Sequence, residues 1–144
     1  TPAEHPEFQT LRAMVQELGL EANLRFDSER PDIRQLMSYV DAGIISSIDS
    51  EVICRVAVEF FSVGTPVAAL PTGCLPEIVI DGVNGTLATR SSPDALSEAM
   101  SRLLLDPETP PRLGSGARRD AETRFAPELL LQKTLKVYRQ VLPR

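Results

Sequence analysis

Histidine and cysteine are nearly absent: the 144-residue chain has one of the first and two of the second. Cys54 and Cys74 make no C-x-x-C pair and have no histidine beside them. Neither a metal site nor a redox motif is indicated, and free thiols are the expectation. His5 has no acid or nucleophile of matching geometry nearby and is assigned no role. Positive charge is also scarce, with 15 Lys and Arg against 20 Asp and Glu, for a net charge of -5. A basic stripe that would displace counterions from nucleic acid is therefore missing, which argues against broad nucleic-acid binding. No apolar run approaches a membrane span, and the start lacks the basic, apolar and small-residue succession of a signal peptide. The cytoplasm is the expected setting. There is no internal repeat and no low-complexity segment.

What is present is an alternation of short apolar runs and amphipathic stretches. At 42% hydrophobic residues, the chain can bury one core and suggests one domain over 1–144, including C-terminal helices over 110–142. A helix is expected from Pro6 to Leu18, with Phe8, Leu11, Met14, Val15 and Leu18 on one side and Gly19 as its stop. Asn23 to Asp27 is a strand candidate. Asp32 to Val40 reads as a helix, with Leu36, Met37 and Val40 in the core, and Gly43 to Ser47 as a strand. Pro66 to Leu70 is a strand covered on both faces. Asp81 to Gly85 is a structural turn before a strand from Thr86 to Thr89. Ser92 caps and Pro93 opens a helix to Leu105, with Leu96, Met100, Leu103 and Leu104 inward. A proline-rich step from Asp106 to Pro111 leads to a helix over Arg112 to Arg124, and a last helix spans Glu128 to Val141.

The stretch from Ser47 to Leu70 organises the rest. Ile53, Val56, Ala57 and Phe60 lie at helical spacing and make one apolar face, bordered by Glu51 and Glu59. Eight residues of helix rise roughly 12 Å and turn about 80° beyond two full turns, so both acids cannot sit squarely on one helix face. Glu51 is better placed on the turn before the helix, with Asp49 or Ser50 as the cap. The helix N-terminus then offers N–H groups and a positive dipole end to a diphosphate, while each Glu accepts hydrogen bonds from sugar hydroxyls. On general grounds a glutamate is more often a solvated helix carboxylate.

Three blocks occur in order: S-x-x-S-E-x-x-x-R-V-x-x-E-x-x-x-x-G-x-P-V from Ser47, T-G-C-L-P-E-I-V from Thr72, and D-G-x-N-G-x-L from Asp81. Together, over about Leu11 to Tyr138, they resemble the C-terminal, donor-binding domain of the retaining family 4 (group 1) glycosyltransferases of GT-B fold. The resemblance implies an α/β, Rossmann-like three-layer sandwich with a mainly parallel sheet, truncated at its N-terminal strands. It implies a UDP- or GDP-hexose as donor, with no metal and no other cofactor, and a glycan or lipid-linked acceptor as in polysaccharide biosynthesis.

By the same resemblance, Glu51 would contact the donor hexose, Glu59 the ribose hydroxyls, and the Ile53 to Arg55 amides the diphosphate. Val52, Ile53 and Cys54 fall where the family carries Gly-Phe-Gly. With no glycine at either end, the backbone contact to sugar and phosphate is narrowed or reshaped. Arg55 would add charge near the phosphates, or remain a surface arginine. The loop around Phe26, Asp27 and Ser28 would read the nucleobase or simply connect elements. Gly73 and Cys74 would share the donor crevice at the carboxyl ends of the strands, with Glu77 supporting a short helix.

The family's two preceding strands, with their basic pair against the diphosphate, and its N-terminal acceptor domain do not precede Leu11. No catalytic residue is assigned, and this chain alone is expected to be inactive. In the strand order 3-2-1-4-5-6, the gap would either make Asn23 to Asp27 pair directly with Gly43 to Ser47 or leave a sheet edge open to a homodimer. Arg112, Arg118, Arg119, Arg124, Lys133, Lys136 and Arg139 allow peripheral contact with anionic lipid at the inner face of a membrane. Because Asp120, Glu122 and Glu128 interrupt them, a solvated face is preferred. The competing functional class is a non-catalytic Rossmann-like binding or assembly module; a sugar-nucleotide epimerase is a third.

Overall fold

Val67, Ala68 and Ala69 are all fully buried, and they are small because helices press on the sheet from both sides. In the computed structural model, which describes residues 6–27 and 29–142, they form β2 (Val67–Ala69), the middle of a three-stranded parallel sheet. β1 (Gly43–Ile45) lies on one side and β3 (Gly85–Leu87) on the other, in the order β1-β2-β3. Gly43 aligns with Val67 and Val67 with Gly85.

Alternate residues of β2 enter different cores, as the two-residue period of a strand requires. Val67 and Ala69 join Ile45, Ala57, Phe61, Leu75, Val79 and Ala117. Ala68 joins Leu70, Ala88, Ala95, Ala99, Leu103 and Leu113 on the other face. The first cluster belongs to α3 (Arg55–Ser62), α4 (Leu75–Ile78) and α6 (Thr109–Thr123), the second to α5 (Pro93–Leu104) and the start of α6. The result is a three-layer α/β sandwich.

Local chemistry sets several boundaries. Ser92 caps α5, its hydroxyl accepting the Ala95 N–H, and Pro93 follows at the first position. Gly64 turns the chain out of α3 with φ of +79°, and its carbonyl lies against α6, where a Cβ on Gly114 would stand 2.2 Å from it. Asn84 is fully buried and ties the D-G-x-N-G turn down. Its amide donates to the Ile78 carbonyl and to Asp120, and its side-chain oxygen accepts the Ile80 N–H.

The described chain divides into two compact units, Thr1–Ile33 and Arg34–Arg144. The first holds α1 (Pro6–Glu17), followed by Gly19 at φ of +63°, and the Phe8 and Phe26 rings meet edge to face at 5.0 Å. The remaining helices are α2 (Ile33–Tyr39) and α7 (Pro127–Val141).

Several expectations are corrected. Residues 23–27 form a turn and irregular backbone, not a strand, and at their end Arg30 draws Asp27 into a local ion pair at 2.7 Å, with Asp32 at the same distance. Among the described residues the sheet has three strands, and 23–27 supplies none of them. The apolar registers of α1 and α7 contain no buried residue. Of the α2 core candidates only Met37 is buried, and Leu104 at the end of α5 is 42% exposed. The proline-rich step turns the chain at 106–108 as expected, but Thr109, Pro110 and Pro111 already belong to α6, with Asp106 accepting from Thr109 Oγ1 at 3.0 Å. Ser28 and His5 lie outside the described residues.

Candidate functional site

At the carboxyl end of β1 the chain leaves the sheet through Ser47 and reaches Glu51 before α3 begins. Ser47 Oγ donates to Glu51 Oε2 at 2.6 Å, so a strand-end hydroxyl holds the first carboxylate. The helix starts later than the sequence indicates. Its N-cap is Cys54, with no side-chain cap bond, so neither Asp49 nor Ser50 caps it. The buried stripe shifts accordingly: Cys54, Ala57 and Phe61 face the core, while Ile53 is 74% exposed and Val56 40% exposed. Phe60 packs partly buried against the same core.

Glu51, Ile53, Cys54, Arg55 and Glu59 line one open groove of about 490 Å³, together with Ile45, Ser47 and Val56. The two carboxylates thus share a cavity, one on the loop before α3 and one on the helix, with the helix N-terminus between them. Val52 is 79% exposed and is not among the residues lining it. Arg55 sits 3.8 Å from Glu59 across one helical turn. Of the amides expected at a diphosphate, Cys54 N–H donates to Cys74 Sγ at 3.3 Å and Arg55 N–H to the Ile53 carbonyl at 2.9 Å. Burial pushes the Cys54 thiol above its ordinary pKa, against the pull of the Ala57 amide, and the Glu51 charge adds to the rise.

The loop after β2 packs directly on this segment. Thr72 Oγ1 donates to the Ile48 carbonyl at 3.2 Å, and Cys74 N–H donates to the Glu51 carbonyl at 2.9 Å. Gly73 has φ of +54°, and a Cβ there would lie 2.1 Å from the Glu51 oxygen, so only glycine fits. Gly73 supports the Glu51 loop by close approach. Cys74 opens on a separate cavity of about 360 Å³ with Glu77, Ile78, Thr123 and Arg124. Glu77 lies in the first turn of α4 and uses its carbonyl to accept from Arg124 Nη2 at 2.6 Å.

Phe26 and Asp27, the nucleobase-loop candidates, belong to the first unit and have local partners there, Phe8 and Arg30. Ser47 and Thr72 lie in stretches the sequence reading places at the crevice, but their bonds to Glu51 and to the Ile48 carbonyl were not anticipated. The signal available was position alone, a hydroxyl at the carboxyl end of each neighbouring parallel strand. Among the described residues no cluster of three or more His, Cys, Asp or Glu is placed to hold a metal ion, and no helix is long and apolar enough to cross a membrane.

Comparison with known proteins shows the family and the fold. The family model described as glycosyl transferases group 1 matches residues 4–120. D-inositol 3-phosphate glycosyltransferase of Corynebacterium glutamicum (strain R) is 38% identical over 115 residues, which are 79% of this chain and 28% of that protein. The crystal structure of HepE from Anabaena in complex with UDP superposes with a TM-score of 0.86 at 30% identity, over 92% of this chain and 36% of that one. The same protein in complex with UDP-glucose gives 0.85 at 29% identity, over 96% of this chain and 38% of that one. The C-terminal domain of the group 1 protein LpcC from Francisella tularensis shares the fold, with a TM-score of 0.73 at 20% identity over 88% of this chain and 66% of that one. The chain spans about three-tenths of the length of the curated relatives it matches.

Proposed function

This chain belongs to the group 1 glycosyl transferases, and from that premise we propose that it carries the nucleotide-sugar donor site of a hexosyltransferase. The observation that carries the reading is the shared groove, with Glu51 and Glu59 on either side of the α3 N-terminus. Glu59 takes the ribose hydroxyls and Glu51, steadied by Ser47, takes hydroxyls of the hexose. The diphosphate lies against the start of α3, at the positive end of the helix dipole. The Arg55 guanidinium, now beside Glu59, adds positive charge there. Helix end and arginine together offset the charge that develops on the leaving diphosphate, the largest electrostatic demand of glycosyl transfer. No metal enters the proposal.

The base is proposed to be uracil, since HepE, to which this chain is similar in fold, is seen with UDP and UDP-glucose. The whole protein is proposed to transfer the hexose with retention of configuration to a glycan or lipid-linked acceptor, with the acceptor held by a further domain. Isothermal titration with UDP, GDP and ADP tests the donor reading. Saturable binding with UDP strongest, lost in Glu59→Ala, is the expected result. Heats at the blank level for all three nucleotides would favour a non-catalytic module that keeps the scaffold without the site.

A further inference from the structure

Cys54 and Cys74 stand twenty positions apart in sequence, yet the Cys54 N–H donates to the Cys74 sulfur at 3.3 Å. The N–Cα bond adds only about 1.5 Å, so the Cys54 Cα lies within about 4.8 Å of that sulfur, inside the reach of a disulfide. Both thiols are free, and the chain contains no other cysteine to compete for either. We propose that Cys54 and Cys74 form an oxidisable dithiol, a modification site that hydrogen peroxide converts to an intrachain disulfide joining the loop before α3 to the turn before α4.

The two sulfurs have unequal access. Cys54 is 3% exposed, whereas Cys74 is only partly buried and opens on its own cavity. Peroxide therefore meets Cys74 first. Its thiolate attacks one peroxide oxygen, the O–O bond breaks, and hydroxide leaves to be protonated to water, giving the sulfenic acid. The Cys54 sulfur then attacks the sulfenic sulfur, the S–S bond forms, and the S–O bond breaks. The departing hydroxyl takes the Cys54 proton as a second water. Two thiols lose two electrons and two protons, and one peroxide becomes two waters.

The surrounding loop favours closure because it is already fixed. The Glu51 carbonyl holds the Cys74 N–H at 2.9 Å, and Thr72 holds the Ile48 carbonyl at 3.2 Å. Little chain entropy remains to be lost when the bond forms. Burial raises the Cys54 thiol above its ordinary pKa, which makes Cys54 the poorer first target. Cys54 lines the groove, so the crosslink fixes the backbone of that wall. This consequence for ligand binding rests on the donor-site reading above.

The test uses the whole chain, reduced, exposed to hydrogen peroxide, alkylated, digested and mapped by mass spectrometry. The expected result is a peptide pair linking Cys54 to Cys74, lighter by two hydrogens and restored by dithiothreitol. Cys54→Ser should leave Cys74 as a sulfenic acid trapped by dimedone, while Cys74→Ser should leave Cys54 open to alkylation after unfolding. Independent overoxidation of the two residues, or crosslinks only between chains, would overturn the proposal. UDP titrations of the reduced and oxidised protein separate the consequence from the donor reading. A loss of about fivefold or more in affinity on oxidation supports it. No binding in either state sinks the donor reading, and the peptide map still decides the disulfide.

Discussion

Glu51 is held by one hydroxyl, and Gly73 leaves room for its carbonyl. Ser47→Ala removes a bond of 2.6 Å to a carboxylate, an interaction of about 1 kcal/mol at a half-exposed site. The expected outcome is a loss of about fivefold in affinity for UDP-glucose with UDP unaffected, because only the hexose arm is disturbed. Gly73→Ala adds a methyl group where 2.1 Å is available, at a positive φ. The loop must shift, and thermal unfolding should show a loss of about 2 kcal/mol together with weaker binding of both nucleotides. At this scale the sequence was legible where chemistry is local: Gly19, Ser92 and Pro93 announce their roles within a few residues. Asn84 was readable as a turn residue, but its bond to Asp120 spans 36 positions, and nothing nearby in the chain signals it.

α3 was recognised as the central element, yet its start was misplaced by several residues. The apolar spacing from Ile53 to Phe60 fits a helix well. The cap is set by the tertiary contact of Cys54 with Cys74 rather than by Asp49 or Ser50. The turn before β3 carries a second inter-element contact that sequence left unseen, between Asp81 and α5. Arg102 grips both oxygens of Asp81 at 3.0 Å, and the Leu87 N–H donates to the same carboxylate at 2.7 Å. The Arg102 guanidinium holds the Asp81 carboxyl below its usual range, against some desolvation. A carboxyl whose folded pKa is depressed stabilises the fold above its unfolded value of about 4, and that stabilisation is lost as pH falls through the folded value. Asp81→Asn should cost about 1 kcal/mol at pH 7 after discounting for solvent exposure. In denaturant titrations the gap between the two proteins should shrink as pH drops below about 4.

Across the whole molecule, parallel strands covered on both faces, the crossover helices and the three motif blocks were legible together, and they carry the family assignment. Burial on α1 and α7 was not, because helical periodicity records an apolar face without saying what covers it. Among the described strands, β1 and β3 each have a hydrogen-bonded neighbour on one side only.

The account stands most squarely on Glu51 and Glu59 holding opposite ends of one ligand, and a two-by-two set of affinities tests it. Dissociation constants for UDP and UDP-glucose are measured with Glu51→Ala and Glu59→Ala. Glu59→Ala should weaken both ligands by about tenfold, and Glu51→Ala should weaken UDP-glucose alone by a similar factor. Equal losses for the two ligands in Glu51→Ala, or unchanged UDP affinity in Glu59→Ala, would contradict the assignment of the groove.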